Sequence, residues 1–217
     1  MFDKSEAPDK ENHRSPFPRS LALFREWIFA HRLPVGLLAV LIAAFFVRPT
    51  YPNSIGGIVL KVVFAGLVIA GVVLRAWGAG CAGKHTRTSI IEAKKLATGG
   101  PYAFMRNPIY FGSMIVGVGM VGVIGDWKLI PLCAVTFAVL YFTIIPAEEE
   151  FLAKNYPSEY AVYRKNVRRL LPRLIPWSGA QLNSFDWPAA LGEWRMIVIL
   201  GAIVAFLYGA SFLRANL

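Results

Sequence analysis

Two short polar clusters stand at the ends of a long apolar stretch: Arg106-Asn107-Pro108-Ile109-Tyr110-Phe111-Gly112 before it and Glu148-Glu149-Glu150 after it. If the stretch folds as a membrane hairpin, its open ends emerge side by side, and an arginine, a tyrosine and up to three carboxylates meet at one surface. Charge gathered at that place needs an explanation. A helix start with an arginine beside it favours anionic groups such as carboxylates. Carboxylates opposite it would cradle a cation, such as a ligand's amino group. Successive helical residues point about 100° apart, so one or two of the three glutamates can face the partner helix. An anionic end and a cationic end in one site suit an amino-acid-like cofactor. The structural alternatives are an interfacial Arg and Tyr at a proline-capped helix start, and a solvated acidic helix end.

The elements that must position these groups are membrane helices. With 56% hydrophobic residues, 17% charged residues and a mean hydropathy of +0.50, the chain predicts an all-α, multi-pass membrane helix bundle. About five transmembrane helices are expected, at Leu33–Val47, Ile58–Ala79, Ile109–Gly125, Leu129–Ala147 and Met196–Leu213. At ~1.5 Å rise per residue against a hydrocarbon core of ~30 Å, the first is short and the third adequate. Pro108 suits the first turn of the third span, where its missing N–H is no loss, and Asn107 is then the natural N-cap. Tyr110 falls one turn into the membrane.

All but four of the 23 lysines and arginines fall on one side of these spans; the exceptions are Arg48, Lys61, Lys128 and Arg214. The positive-inside rule then predicts a cytoplasmic N-terminus and an outer C-terminus. The net charge of +10 is read as topology and attraction to anionic headgroups, and no nucleic-acid partner is expected. The first twenty residues lack the apolar core of a signal peptide, and the final Arg-Ala-Asn-Leu has no prenylation cysteine. Cys81 and Cys133 are read as packing residues rather than a disulfide. His13, His31 and His85 share no ligand spacing with a carboxylate or thiol, so no metal site is expected. The Gly78-Ala79-Gly80-Cys81-Ala82-Gly83 run matches a dinucleotide-binding spacing, but a membrane helix precedes it, and its glycines are expected to end that helix. Gly112, Gly117, Gly119, Gly122 and Gly125 line the third span, for close helix packing or as room beside a flat ligand.

Gly100-Pro101-Tyr102, the Arg106–Gly112 segment, the glutamates, Leu152, Glu159-Tyr160, Tyr163 and Val167-Arg168-Arg169 with Pro172 resemble the isoprenylcysteine carboxyl methyltransferase family and its phospholipid methyltransferase relatives. The resemblance runs from about Arg75 to Pro176. It implies binding of S-adenosylmethionine within the bundle and methylation of an amphiphilic acceptor, with the lipid bilayer and a lipophilic or lipid-modified acceptor as partners. By it, Arg106, Asn107, Pro108, Tyr110 and Gly112 line the cofactor pocket, Glu148 and Glu149 face its amino end, and Pro101 and Tyr102 form its wall. Asn107 stands where the family has histidine, which removes an acid–base role, and Arg168 stands where proline is usual. Residues 1–30 then form a flexible basic arm, 31–80 two spans, 81–176 the catalytic core, and 177–217 an interfacial linker and fifth span. The expected location is the cell (inner) membrane.

Methyl transfer from a sulfonium needs alignment more than covalent help. A carboxylate acceptor is already ionised and needs no base, and Arg169 or Arg164 would steer it. An amine acceptor would need one, for which Glu149 and Tyr163 are candidates. Glu149 and Arg169 are the expected catalytic residues. Two other readings are an NADPH-dependent membrane reductase of the sterol-reductase type, which Ser113 disfavours, and a non-enzymatic membrane assembly protein.

Overall fold

Ser54 starts the longest helix by accepting a hydrogen bond from the Gly57 amide (3.2 Å), and α1 then runs Ile55–Ala82 through almost unbroken apolar sequence. The computed structural model describes residues 46–50, 54–83, 96–181 and 184–215, all within one unit spanning Ala39–Leu217. The basic arm, most of the first expected span, Lys84, Arg87, Lys94, Lys95 and the three histidines lie outside the described residues. After a 3-10 turn at Gly100–Ala103 come α2 (Pro108–Ile124), α3 (Leu129–Val139), α4 (Ile145–Asn155), α5 (Pro157–Asn166), α6 (Trp187–Leu191) and α7 (Trp194–Ala215). No strand occurs among the described residues.

Three helical stretches, Ile55–Ala82, Leu129–Asn155 and Trp187–Ala215, are long and apolar enough to cross a membrane, and α2 is a shorter apolar helix. Large side chains such as Val62, Val135, Phe142 and Ile199 are exposed along them, as a lipid-facing surface requires. The chain is an integral membrane protein.

The expected fourth span ends at Ala147, but the helix continues to Asn155, interrupted by a π-helical turn at Leu140–Ile144. Pro146 explains the interruption: it has no N–H for the preceding turn and its ring crowds the carbonyl one turn back, which a widened turn relieves. The glutamates therefore lie within a helix. Tyr156-Pro157 then breaks the chain into α5, with Tyr156 at φ −134°, ψ 59° and Pro157 opening the new helix.

Helices α1 and α2 pack through glycine. A Cβ on Gly112 would lie 2.8 Å from the Gly71 carbonyl oxygen and 2.7 Å from Arg75 Cγ, and one on Gly119 would lie 2.9 Å from the Phe64 carbonyl oxygen. Backbones in such contact leave no space for a flat ligand, so the packing account of the glycine-lined helix holds at these positions. Gly83, at φ +80°, ends α1 with its amide on the Ala79 carbonyl, as expected for the glycine run. Replacing Gly112 by leucine is expected to lower stability by about 1–3 kcal/mol. Leucine at Gly66, which meets nothing within 4 Å, is expected to change it by less than about 0.5 kcal/mol. Thermal unfolding of both variants in detergent checks the contrast.

The α2–α3 turn carries its own polar cluster. Asp126 accepts from the Arg48 amide (2.7 Å) and the Lys128 amide (3.0 Å), with the Lys128 ammonium at 3.9 Å. Burial alone would raise its pKa, but these donors and the Lys128 charge outweigh it and hold the carboxyl below its ordinary value. At the same end Lys61 donates to Tyr208 (2.8 Å) and Arg214 to the Val47 carbonyl (2.8 Å). The four cations that charge counting sets apart thus gather at one end of the bundle, opposite Arg106.

Candidate active site at the open end of the hairpin

The α2–α3–α4 hairpin returns Glu149 to the start of α2. Arg106 Nη2 lies 3.1 Å from Glu149 Oε1, and both side chains are about nine-tenths buried, at 9% exposure each. Arg169 grips the other oxygen with two donors, Nε at 3.1 Å and Nη2 at 2.8 Å. Both Arg169 donors converge on that single oxygen, as charge-assisted hydrogen bonds. The hydrogen bond and charge of Glu149 raise the Arg169 pKa against the opposing effect of burial, so Arg169 stays a cation. Asn107 Nδ2 adds a donor to Glu149 Oε1 (3.3 Å) and a second bond to the Arg169 carbonyl (3.0 Å).

Asn107 holds the expected N-cap position but makes no side-chain cap. A buried carboxylate is a stronger acceptor than a helix amide is a donor, and the Asn107 amide turns to it instead. Its NH2 bridges Glu149 and a loop carbonyl without carrying charge.

The three glutamates divide as helical geometry requires. Glu149 is the buried hub, exposed Glu148 accepts from the Tyr110 hydroxyl (2.6 Å), and Glu150 turns outward to Lys154 (2.8 Å). Arg106, Tyr110, Glu148, Glu149 and Arg169 are thereby brought together. The arrangement differs from an open cleft with one charge on each wall: Arg106 and Glu149 contact each other directly.

A strap after α5 fixes this cluster from outside. The Arg106 amide donates to the Arg168 carbonyl (2.9 Å), the Arg173 amide to the Phe104 carbonyl (2.9 Å), and the Trp177 amide to the Ala103 carbonyl (3.0 Å). Arg106 Nη1 reaches the Arg164 carbonyl (3.1 Å). Beneath the strap, Tyr160, Tyr163 and Val167 form a buried cluster against Tyr102 and Trp177. The Tyr163 hydroxyl donates to the Tyr102 carbonyl (2.8 Å), and burial first, then Tyr102, pushes its pKa far above the ordinary phenol value. Tyr160 is pushed up to about 12, by burial first and then by Glu149, against the opposing arginines. Both phenols stay protonated near neutral pH, and the Tyr163 hydroxyl is already committed to the Tyr102 carbonyl.

Two buried polar atoms of this region have no hydrogen-bond partner, Arg106 Nε and the Tyr160 hydroxyl. Pro101 is fully buried, and half-buried Tyr102 packs on the tyrosine cluster. Burial raises the pKa of Tyr102, with Glu148 and Cys81 adding to the effect. Pro108 is buried at the helix start against Gly78. Gly112 faces α1 rather than the charged cluster.

Sequence reasoning missed Glu193. It is buried between α6 and α7 and pairs with Arg75 of α1, whose Nε and Nη2 both lie 3.0 Å from Oε2. The same guanidinium donates to the Ile109 carbonyl (3.3 Å) and to Ser113 of α2. A lone glutamate just before an apolar span, with an arginine in the last turns of another, was the available signal. Among the described residues no group of three or more metal-ligating side chains is placed to hold a metal ion.

Residues 60–159 match the family model described as phospholipid methyltransferase. The chain is 28% identical over 127 residues to the cobalt-zinc-cadmium resistance protein CzcN of Cupriavidus metallidurans, covering 55% of this chain and 58% of that protein. It is 30% identical over 83 residues to the nickel-cobalt-cadmium resistance protein NccN of Alcaligenes xylosoxydans xylosoxydans, 38% of each. It is 30% identical over 115 residues to protein-S-isoprenylcysteine O-methyltransferase B of Arabidopsis thaliana, covering 49% of this chain and 56% of that enzyme. The chain thus spans less than two thirds of the length of these relatives. No solved structure matches it significantly. The matched region contains the whole hairpin, from within α1 to the glutamates and Tyr156-Pro157, and over it the chain is similar to the phospholipid methyltransferase family and to an isoprenylcysteine methyltransferase.

Proposed function

We propose that this protein transfers a methyl group from S-adenosylmethionine to a lipophilic or amphiphilic acceptor, isoprenylcysteine-like or lipid, at the cytoplasmic face of the cell (inner) membrane. The observation that carries the reading is the convergence of Arg106, Tyr110, Glu148 and Glu149 at the open end of a hairpin that matches the family. The residues present fit a zwitterionic cofactor. Arg106 keeps a buried Nε donor without a partner, suited to a carboxylate, and Glu148 presents an exposed carboxylate oriented by Tyr110, suited to an ammonium.

When bound, S-adenosylmethionine supplies a methyl group on a positively charged sulfur. The protein's own task is alignment and exclusion of water, which can be worth roughly 7–11 kcal/mol. Glu149 acts on Arg106 and Arg169, fixing the Arg106 guanidinium so that its remaining donor is held in place. Asn107 holds Glu149 to the strap. Pro101, Tyr102 and Pro108 close the wall, and Gly112 lets α2 approach α1 so that Arg106 and Tyr110 keep their positions.

Proton handling favours an acceptor that is already ionised. Glu149 is engaged by donors on both oxygens, and Tyr163 is held protonated. A carboxylate needs neither as a base. Arg169 is committed to Glu149, which leaves the exposed Arg164 to steer the acceptor's charge.

Membranes containing the full chain, incubated with methyl-labelled S-adenosylmethionine, are expected to yield a lipid-extractable or lipid-modified product one methyl group heavier by mass spectrometry. The product should disappear with Glu148→Gln. Absence of label from every lipid and protein fraction would reject the proposal.

A further inference from the structure

Beside the paired core, and separate from Glu148 and Glu149, lies an open groove of about 660 Å³ on the outer face of the strap. Its charged lining is wholly cationic: Arg106, Arg164, Lys165, Arg168 and Arg173 line it, and no acidic residue does. Its lip is apolar. Leu174 is fully exposed (100%), Ile175 is 74% exposed and Leu171 beside them 66%. None of the three belongs to a membrane-spanning helix.

The depth of this groove follows from the backbone. Three hydrogen bonds pin residues 168–177 to residues 103–106, and two residues later the chain enters apolar α2 at Pro108. A strap one hydrogen bond away from the start of a membrane helix sits at the level of the lipid headgroups. Large apolar side chains fully exposed at that level are satisfied by acyl chains, while arginines just above them meet phosphates. The groove is also built in advance: Arg173 Nη1 bonds the Asn166 carbonyl across it, and Arg106 Nη1 holds the Arg164 carbonyl.

We propose that this groove binds the phosphate of an anionic phospholipid of the surrounding leaflet, with Arg164, Lys165 and Arg168 on the headgroup and Leu171, Leu174 and Ile175 against the acyl chains. Such a lipid would hold the strap, and through Arg168 and Arg173 the Arg106 loop, against the membrane surface. The groove shares Arg106 and Arg164 with the proposed methyl-transfer site, but its test reads lipid retention without cofactor and can therefore fail independently of that reading.

The test is retention of lipid by the purified full chain, measured by native mass spectrometry from detergent micelles containing equal phosphatidylglycerol and phosphatidylcholine. Wild type is expected to retain phosphatidylglycerol preferentially. Arg164→Gln, Lys165→Gln and Arg168→Gln alter exposed side chains and leave the strap's backbone bonds in place, and each is expected to lower that preference roughly fivefold. Arg195→Gln, which removes a charge outside the groove, should leave it unchanged. Leu174→Ser should weaken phosphatidylglycerol binding without affecting inorganic phosphate. Equal retention of both lipids, or equal effects of Arg195→Gln and the groove variants, would overturn the proposal. So would displacement by inorganic phosphate together with indifference to Leu174→Ser, which would mark a site for soluble phosphate.

Discussion

Glu149→Ala is expected to cost about 3–5 kcal/mol of stability, because it leaves the nine-tenths-buried Arg106 guanidinium without its counter-charge. S-adenosylmethionine binding should fall at the same time by more than about tenfold, since an unpaired Arg106 no longer holds its free donor in place. Arg169→Gln should cost much less, because Arg169 is 32% exposed and solvent takes over part of the screening. Glu149→Gln keeps the shape and some hydrogen bonds, and should fold better than alanine while still losing binding. Thermal unfolding and cofactor titration on the three variants separate the two effects. Equal stability of Glu149→Ala and Arg169→Gln would show that the pair with Arg106 is not the hub.

The second large effect is expected at the pair that reading the sequence overlooked. Arg75 joins three elements at once: Glu193 between α6 and α7, and the Ile109 carbonyl and Ser113 of α2. Breaking it from either side, with Glu193→Ala or Arg75→Ala, should cost about 3–5 kcal/mol, because a buried charge is left behind. The double change Arg75→Met with Glu193→Leu should recover most of that loss, since an apolar pair of similar volume carries no desolvation cost. Melting temperatures in detergent give the comparison. Single variants within about 0.5 kcal/mol of wild type would mean that α7 is held to α1 by packing alone.

Why Glu193 escaped notice, while the hairpin did not, has a physical explanation. Spans were readable because lipid demands unbroken apolar helices, and that demand is local: α1, α2, the Leu129–Asn155 stretch and α7 cover the four later apolar runs. The convergence of Arg106 with the glutamates followed from one topological fact, that a hairpin returns to its own surface. Which glutamate becomes buried depends on helix phase through the π turn at Leu140–Ile144, and composition does not encode it. The strap was equally hidden, because it is held by backbone bonds from Arg106, Arg173 and Trp177 that leave no mark on side-chain pattern. Arg75 and Glu193 lie more than a hundred positions apart, and only the packed bundle makes them neighbours. The Asn107 side chain deserted its N-cap for the same reason: a carboxylate that arrives from elsewhere in the chain outbids a local helix amide.

Equilibrium binding of labelled S-adenosylmethionine to the purified full chain, run beside NADPH and repeated with Glu148→Gln and Arg106→Ala, tests the central claim most directly. Saturable binding of S-adenosylmethionine but not NADPH, lost in both variants while their helical content is kept, is the predicted result. Binding of NADPH instead, or S-adenosylmethionine affinity unchanged in both variants, would contradict it.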